Sequence, residues 1–370
     1  MNAKRFFYGF VFLIMVMLTS CAQQPITIGF SAGLTGNASE MGVNGRNGLM
    51  IAVAEINAAG GVNGRPVELM IKDDQNNPEI ALAVDQELYQ DGVSFIIGHM
   101  TSNMAQLTLP FVNQNNLLML SPTMSSYELV DQDDHFISMV SSNDMEAAFI
   151  ADNIIKNGGK KIAVIYESQN KSYTATIKDF LAANLAKNGA SIIYEEAFQS
   201  GTNPAYLEIA NRVSATNPDT LVILASSFDA AMFCQQFSKS GNQVPIYLPL
   251  WAMNNDLLLQ GGNSVEGVYI PSLLDTESQN PAYLKFKQSY INQYGVEPTF
   301  VSIYAYETAM ILFAAMAEKN SYNPDTIKTA IIEKGTHQGL QGDIMIDNYG
   351  DAKRTLYHYV IKNGQFKKAD

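Results

Sequence analysis

Residues 93–126 read VSFIIGHMTSNMAQLTLPFVNQNNLLMLSPTMSS, and the fold is decided in this stretch. Val93–Gly98 is a short apolar run of strand character, Asn103–Asn115 carries a helical pattern, and Leu117–Leu120 is a second apolar run. Strand, helix, strand at this spacing is the unit of a parallel sheet covered by helices. The same rhythm extends in both directions. Upstream, Ile26–Phe30 precedes a helix around Val43–Ala59 that stops at Gly60-Gly61, and Val67–Lys72 precedes Pro78–Asp91, with Pro78 suited to a first helical turn. Downstream, Ile162–Tyr166, Ser191–Ala197, Leu221–Ala225 and Ile246–Leu248 alternate with helical patterns over Tyr173–Asn188, Pro204–Ala215 and Phe228–Ser240. The break near Ser141–Asn143 divides two βα series, so an α/β protein with two doubly wound lobes is expected. The last hundred residues read as helices at Pro281–Tyr294, Ser302–Glu318 and Pro324–Lys334. Two late strands, Ile344–Ile346 and Leu356–Ile361, are expected to join the existing sheets.

The chain has 370 residues, 47% of them hydrophobic and 16% charged, which is enough apolar content to fill real cores and excludes wholesale disorder. Its 23 Lys+Arg face 36 Asp+Glu, a formal charge of −13. No nucleic-acid partner is expected, because phosphate binding needs a basic patch and the densest clusters are only Lys160-Lys161 and Lys367-Lys368. Residues 1–20 read as a signal peptide: Lys4 and Arg5 give a positive start, and Phe6–Leu18 is apolar but shorter than the roughly 20 residues of a membrane span. Leu18-Thr19-Ser20-Cys21 resembles a bacterial lipobox, so Cys21 is the expected lipidation site of an exported protein anchored to a bacterial membrane and facing the periplasm or cell exterior. Cys234 then has no intramolecular partner and reads as a buried, inert thiol.

Motifs for chemistry are few. Gly29-Phe30-Ser31-Ala32-Gly33 matches the nucleophile-elbow pattern, but it follows the first strand and runs on into Leu34-Thr35-Gly36, as a flexible βα loop would. A serine hydrolase using Ser31 is the remote alternative. There is no dinucleotide fingerprint and no phosphate-binding loop, and the histidines His99, His135, His337 and His358 have no metal-ligand spacing; neither cofactor nor metal is expected. Asp73-Asp74 reads as a solvated or capping pair. More informative are the polar segments at the carboxyl ends of consecutive strands, Gly98–Asn103 and Ser121–Ser126. Ligands of open α/β sheets bind at such ends, often where free helix N–H groups favour an anion. Each segment could merely cap a helix, but two side by side point to a shared crevice.

Ile28–Gly36, Glu55–Gly64, Lys72-Asp73-Asp74, Phe95–His99, Leu118–Ser125 and Val265–Val268 resemble type I periplasmic binding proteins of the leucine/isoleucine/valine-binding kind. The likeness covers nearly the whole chain beyond the signal segment. It implies two Rossmann-like lobes joined by three hinge strands, with lobe I at 25–143 plus 274–345 and lobe II at 144–273 plus 346–370. It also implies a non-enzymatic, monomeric solute-binding lipoprotein of an ABC importer, closing over an amino acid or a related small acid or amide and handing it to a membrane permease. A ligand-sensing module on the same fold is the alternative.

By the same resemblance, Ser102 binds the ligand carboxylate, Ser125 binds carboxylate and ammonium, and the Thr123 carbonyl accepts from the ammonium. Tyr173 closes from lobe II, Met100 and Thr101 line the lobe I wall, and Met41 stands where an aromatic often sits. Asn76 and Thr101 occupy positions where some members carry a disulfide. Phe228 is the substitute for a displaced aromatic lid residue. The acid that neutralises the ammonium is expected near Pro249-Leu250-Trp251, and none is there; Trp251 offers an apolar or cation–π face instead. From that absence, leucine is expected to have little or no advantage over its 2-keto acid.

Overall fold

The computed structural model describes residues 24–36, 39–201, 204–241 and 243–369. Residues 1–20, expected to be a signal peptide, and Cys21, the expected lipidation site, lie outside the described residues.

The first half alternates as the pattern requires: β1 (Ile26–Ala32), α1 (Ser39–Ala58), β2 (Val67–Asp73), α2 (Pro78–Gln90), β3 (Phe95–Gly98), α3 (Ala105–Gln114), β4 (Leu118–Ser121) and β5 (Phe136–Ser138). These strands form a parallel sheet in the order β2-β1-β3-β4-β5. β3 and β4 are buried at every position, as strands covered on both faces must be. α2 starts where Pro78 fills its first turn and Asn77 accepts the N–H groups of Glu79 and Ile80.

The second series runs α4 (Asn143–Lys156), β6 (Lys161–Glu167), α5 (Lys171–Lys187), β7 (Ser191–Phe198), α6 (Tyr206–Ala215), β8 (Thr220–Leu224), α7 (Ser227–Lys239), β9 (Ile246–Tyr247), α8 (Asn255–Gly261) and β10 (Tyr269–Ser272). The chain then returns to the first sheet with α9 (Pro281–Tyr294), α10 (Phe300–Lys319) and α11 (Pro324–Lys334), and ends in β11 (Thr336–Gln338), β12 (Asp343–Ile346), β13 (Ala352–Lys353), β14 (Tyr357–Lys362) and β15 (Gln365–Lys368). The second sheet has the order β15-β14-β10-β9-β8-β6-β7, parallel from β7 to β10 and antiparallel at β14 and β15. α10 is long and apolar enough to span a membrane, yet most of it is buried against α1 and the first sheet, which makes it a core helix. The approach of α1 is close: a Cβ on Gly48 would lie 1.9 Å from the Ser302 carbonyl oxygen.

Of the two late strands, β14 joins the second sheet beside β10. β12 does not join an existing sheet; it forms an antiparallel ribbon with β11 and β13. The reason lies in its alternation, since Ile344 and Ile346 are buried while Asp343 and Met345 are exposed, a pattern for a half-solvated ribbon rather than for a sheet covered on both faces. Because β13 pairs with β12, and Asp351 bridges to Ser138, residues 346–353 stay beside the first sheet, and the chain passes to the second only through 354–356. The other two passages follow β5 and β10.

Candidate functional site

A cleft lies between the two sheets, with about 550 Å³ of empty space that includes open solvent, and its walls come from the carboxyl ends of strands in both. On the first side the loop after β3 supplies Met100 and Ser102, and the loop after β4 supplies Thr123 and Ser125. Local chemistry shapes these loops. Gly98 takes φ +144 and passes so near β1 that a Cβ there would lie 2.1 Å from the Ser31 carbonyl oxygen. Ser121 Oγ donates to the His99 carbonyl (2.7 Å) and accepts the Met124 N–H (2.9 Å), turning the chain toward the cavity. Thr123 Oγ1 donates to the Met100 carbonyl at 2.7 Å, locking the two loops together.

Ser102 opens a 3-10 turn before α3 and is buried. Its Oγ accepts the N–H groups of Ser125 (3.1 Å) and Ser126 (3.3 Å). A hydroxyl with both lone pairs engaged keeps its proton to donate, so Ser102 can serve an acceptor such as a carboxylate in the cleft that it lines.

The second side brings Glu146, Asn170, Tyr173 and Trp251. Tyr173, on the first turn of α5, packs edge-on against Trp251 with ring centroids 6.0 Å apart. Its hydroxyl donates to Glu146 Oε2 at 2.8 Å. Glu146 Oε1 accepts the Leu250 N–H at 2.6 Å. Burial pushes the Glu146 carboxyl up to about 7, against the lowering effect of those two donors, and no cation is among the groups acting on it. Asn170 reaches across the cleft, its Oδ1 accepting the Asn103 N–H at 3.2 Å.

Six of the expected residues therefore meet around one cavity: Met100, Ser102, Thr123, Ser125, Tyr173 and Trp251. Two do not. Thr101 is turned away, its hydroxyl donating to Asn76 Oδ1 at 2.7 Å, so the pair at the disulfide positions is joined by a hydrogen bond instead. Phe228 lies on the first turn of α7 between buried Ser227 and Asp229 and is 52% exposed, so it is no lid over this cavity. Met41 lines the first side as the resemblance implied.

The largest correction concerns the missing acid. Segment 249–251 carries none, but Glu146 places its carboxylate on the Leu250 amide, and the premise that no acid reaches the cleft is overturned. Glu146 and Asn170 escaped the sequence reading. Glu146 opens a helix, where an acidic residue is ordinary, and nothing local ties it to residue 250.

Asp73 and Asp74 also part company. Asp73 holds the loop after β1 through Leu34 N and Thr35 Oγ1, whereas Asp74 is buried and paired with His99. His99 Nδ1 lies 2.6 Å from Asp74 and Nε2 3.2 Å from Asp85. Burial alone would lower the imidazole's proton affinity, but Asp85 and Asp74 hold its pKa up at about 10. Ser31 is fully buried with Oγ 3.2 Å from that same Nδ1. An imidazolium has no lone pair to take a serine proton, so the Ser31 hydrolase reading fails on its own chemistry. Cys234 is buried, and burial pushes its thiol up to about 12, leaving it inert at neutral pH. One trio among the described residues, Asp131, Asp347 and Asp351, is close enough to share a cation. It lies outside the cavity wall, and its oxygens already accept backbone N–H groups of Asp131, Tyr349 and Asp351.

Two α/β sheets facing each other across a cleft walled by both define a two-lobed solute-binding protein. The sequence profile of the periplasmic binding protein family matches residues 25–365. The chain belongs to that family, whose members bind solutes rather than transform them. Leu/Ile/Val-binding protein homolog 2 of Brucella abortus (strain 2308) is 25% identical over 375 residues, covering 96% of this chain and 95% of the relative. Among solved structures, the branched-chain amino acid transporter substrate binding protein LivJ from Streptococcus pneumoniae, in complex with isoleucine, superposes with a TM-score of 0.84 at 21% identity, over 93% of this chain and 98% of that one. A solute binding protein of an ABC transporter from R. palustris, in complex with benzoate, gives 0.85 at 13% identity, over 93% and 95%. At these identities the structural likenesses carry the fold alone.

Proposed function

We propose that this chain is the exported solute-binding component of an ABC importer, tethered through Cys21, monomeric, and specific for an amino acid of the branched-chain type or a related small carboxylate. The observation that supports this most is the Ser102 hydroxyl, held between two backbone amides at the mouth of α3 on the wall of the cleft between the sheets. In this reading lobe I (25–143 plus 274–345) grips the carboxylate through Ser102 and Ser125, with Thr123 and Met100 beside them. Lobe II (144–273 plus 346–370) closes Tyr173 and Trp251 over the side chain. One boundary is revised in this reading: residues 346–353 go with lobe I instead of lobe II, because β13 pairs with β12 and Asp351 bridges to Ser138. The closed form is what a permease would recognise, and the names of the relatives favour leucine, isoleucine or valine as first candidates.

A thermal-shift panel on purified protein, freed of co-purified ligand by unfolding and refolding, tests the reading. It should contain leucine, isoleucine, valine, phenylalanine, their 2-keto acids and benzoate. A rise in melting temperature for at least one amino acid, confirmed by calorimetry, is expected. No shift with any member would overturn it.

A further inference from the structure

We propose that Asp74 is a positioning residue for carboxylate recognition, closing a circuit of contacts with His99, Asn76 and Thr101 that holds Met100 and Ser102 on the wall of the cleft. This rests on the solute-binding reading above and adds to it residues that touch no ligand. The chain after β3 alternates as a strand does. Met100 and Ser102 line the cleft, whereas His99 and Thr101, which alternate with them, turn back, buried, toward the loop between β2 and α2. One short turn meets both of them there. Asp74 Oδ1 accepts the Asn76 N–H at 2.8 Å, an Asx turn. Its Oδ2 lies 2.6 Å from His99 Nδ1, and Asn76 Oδ1 accepts the Thr101 hydroxyl at 2.7 Å. The Asp74 carboxylate thus links both inward-facing residues, and the circuit closes through the backbone that carries Met100 and Ser102.

A hydroxyl that serves a ligand oxygen has to be held to within about 0.5 Å by the groups around it. The Ser125 and Ser126 amides hold Ser102 from the side of the loop after β4. The Asp74 circuit holds the same chain from behind. An acid is needed there because it supplies two acceptor oxygens; an amide in its place has one, which cannot serve both the Asn76 N–H and His99 Nδ1. Ser31 Oγ lies 3.2 Å from that nitrogen, and Asp85 on α2 takes the opposite one, Nε2, at 3.2 Å. Asp85 closes no circuit, since its other oxygen, Oδ1, is buried without a hydrogen-bond partner. The two acids therefore flank one imidazole, but only Asp74 connects it to the ligand loop.

Competitive calorimetry on each acid of the thermal-shift panel against its carboxamide, leucine against leucinamide and benzoate against benzamide among them, reads how well the head group is held. The wild type should prefer at least one acid by about tenfold or more, because a hydrogen bond to a carboxylate is stronger than one to a neutral amide. Asp74→Asn should shrink that preference by about fivefold or more, through weaker binding of the acid with the carboxamide little changed. Asp85→Asn removes the same charge from the other side of the same imidazole but leaves the circuit closed, and should keep the preference within about twofold. A merely structural or electrostatic role would treat these two variants alike. Equal shifts in both variants, an unchanged preference in Asp74→Asn, or equal losses for acid and carboxamide would each overturn the assignment. If Asp74→Asn fails to fold, Thr101→Val decides, since it opens the circuit at its far end without touching a charge. It should shrink the preference by about threefold or more, and an unchanged preference overturns the assignment. A wild type that binds acid and carboxamide equally overturns this assignment alone; one that binds no member of the panel overturns the solute-binding reading too.

Discussion

Two serines on facing loops do different work, although the sequence presents them alike. Ser102 Oγ accepts two backbone N–H groups, from Ser125 and Ser126, and is buried. Ser125 is half-buried, and its carbonyl, not its hydroxyl, accepts the Asn143 N–H at 2.7 Å. Removing the Ser102 hydroxyl therefore strips an acceptor from two amides as well as the donor proposed for the ligand. Ser102→Ala should weaken binding by about ten- to a hundredfold and also cost roughly 1–3 kcal/mol of stability. Ser125→Ala should weaken binding with little change in melting temperature. Calorimetry paired with thermal melts checks both, and equal melting temperatures for the two variants would contradict the distinction. The sequence analysis assigns Ser102 and Ser125 to ligand binding alone. The hydroxyl chemistry was legible, but its second use in joining the loops after β3 and β4 was not.

At the scale of elements, most of the architecture was legible because each strand and helix announces itself locally. The apolar run Phe95–Gly98 and the helical pattern behind it need no distant partner to be recognised. β12 was harder, since its alternation was visible but its ribbon partners β11 and β13 are only three and two residues long. Glu146 was illegible for a deeper reason: its role depends on α4 delivering it to Leu250 from another part of the second lobe. Glu40 on α1 is of the same kind. Its Oε2 accepts from Asn254 Nδ2 at 3.0 Å, and Asn254 caps α8 across the cleft. Burial, reinforced by Asp256, pushes Glu40 up to about 7 against the hydrogen bonds from Asn254 and Asn44. With the lobes apart, a solvated Glu40 returns to the ordinary carboxylate range. A group whose pKa is higher in the closed form takes up a proton on closure, so closure is favoured as pH falls from about 7 toward 4.5. Ligand binding at pH 6, followed by calorimetry in buffers of different ionisation enthalpy, should show proton uptake that falls by up to about one proton in Glu40→Gln. The same uptake in both proteins would mean that Glu40 is not part of the closing contact.

The whole molecule is built so that these contacts can form and break together. The two sheets share no strand, and the chain passes between them after β5, after β10 and after β13. Arg354 ties two of those passages side by side: its N–H donates to Ser141 Oγ (2.8 Å) and its Nε to the Met139 carbonyl (2.7 Å). Its guanidinium is anchored to α10, 2.8 Å from Glu307 and over the Tyr304 ring at 4.3 Å. The base of the cleft is thus fixed, while at its mouth the two sides touch through the hydrogen bonds Asn103–Asn170 and Glu40–Asn254 and through the edge-on rings of Tyr127 and Phe180, centroids 4.8 Å apart. One hydrogen bond between neutral groups, one to a carboxylate and one ring pair contribute only about 0.5–3 kcal/mol each after exchange with water, too little to hold two lobes shut against the freedom of an open hinge without a ligand between them. Small-angle scattering should therefore give a larger radius of gyration for the ligand-free protein than for the protein saturated with its amino acid, and only the saturated profile should match the closed arrangement described here. The Asn170→Ala variant, which loses one latch but keeps the passages intact, should reach the same compact profile at a higher ligand concentration. Superimposable profiles with and without a ligand that calorimetry shows to be bound would mean a rigid, pre-closed molecule, and would remove lobe closure from the mechanism.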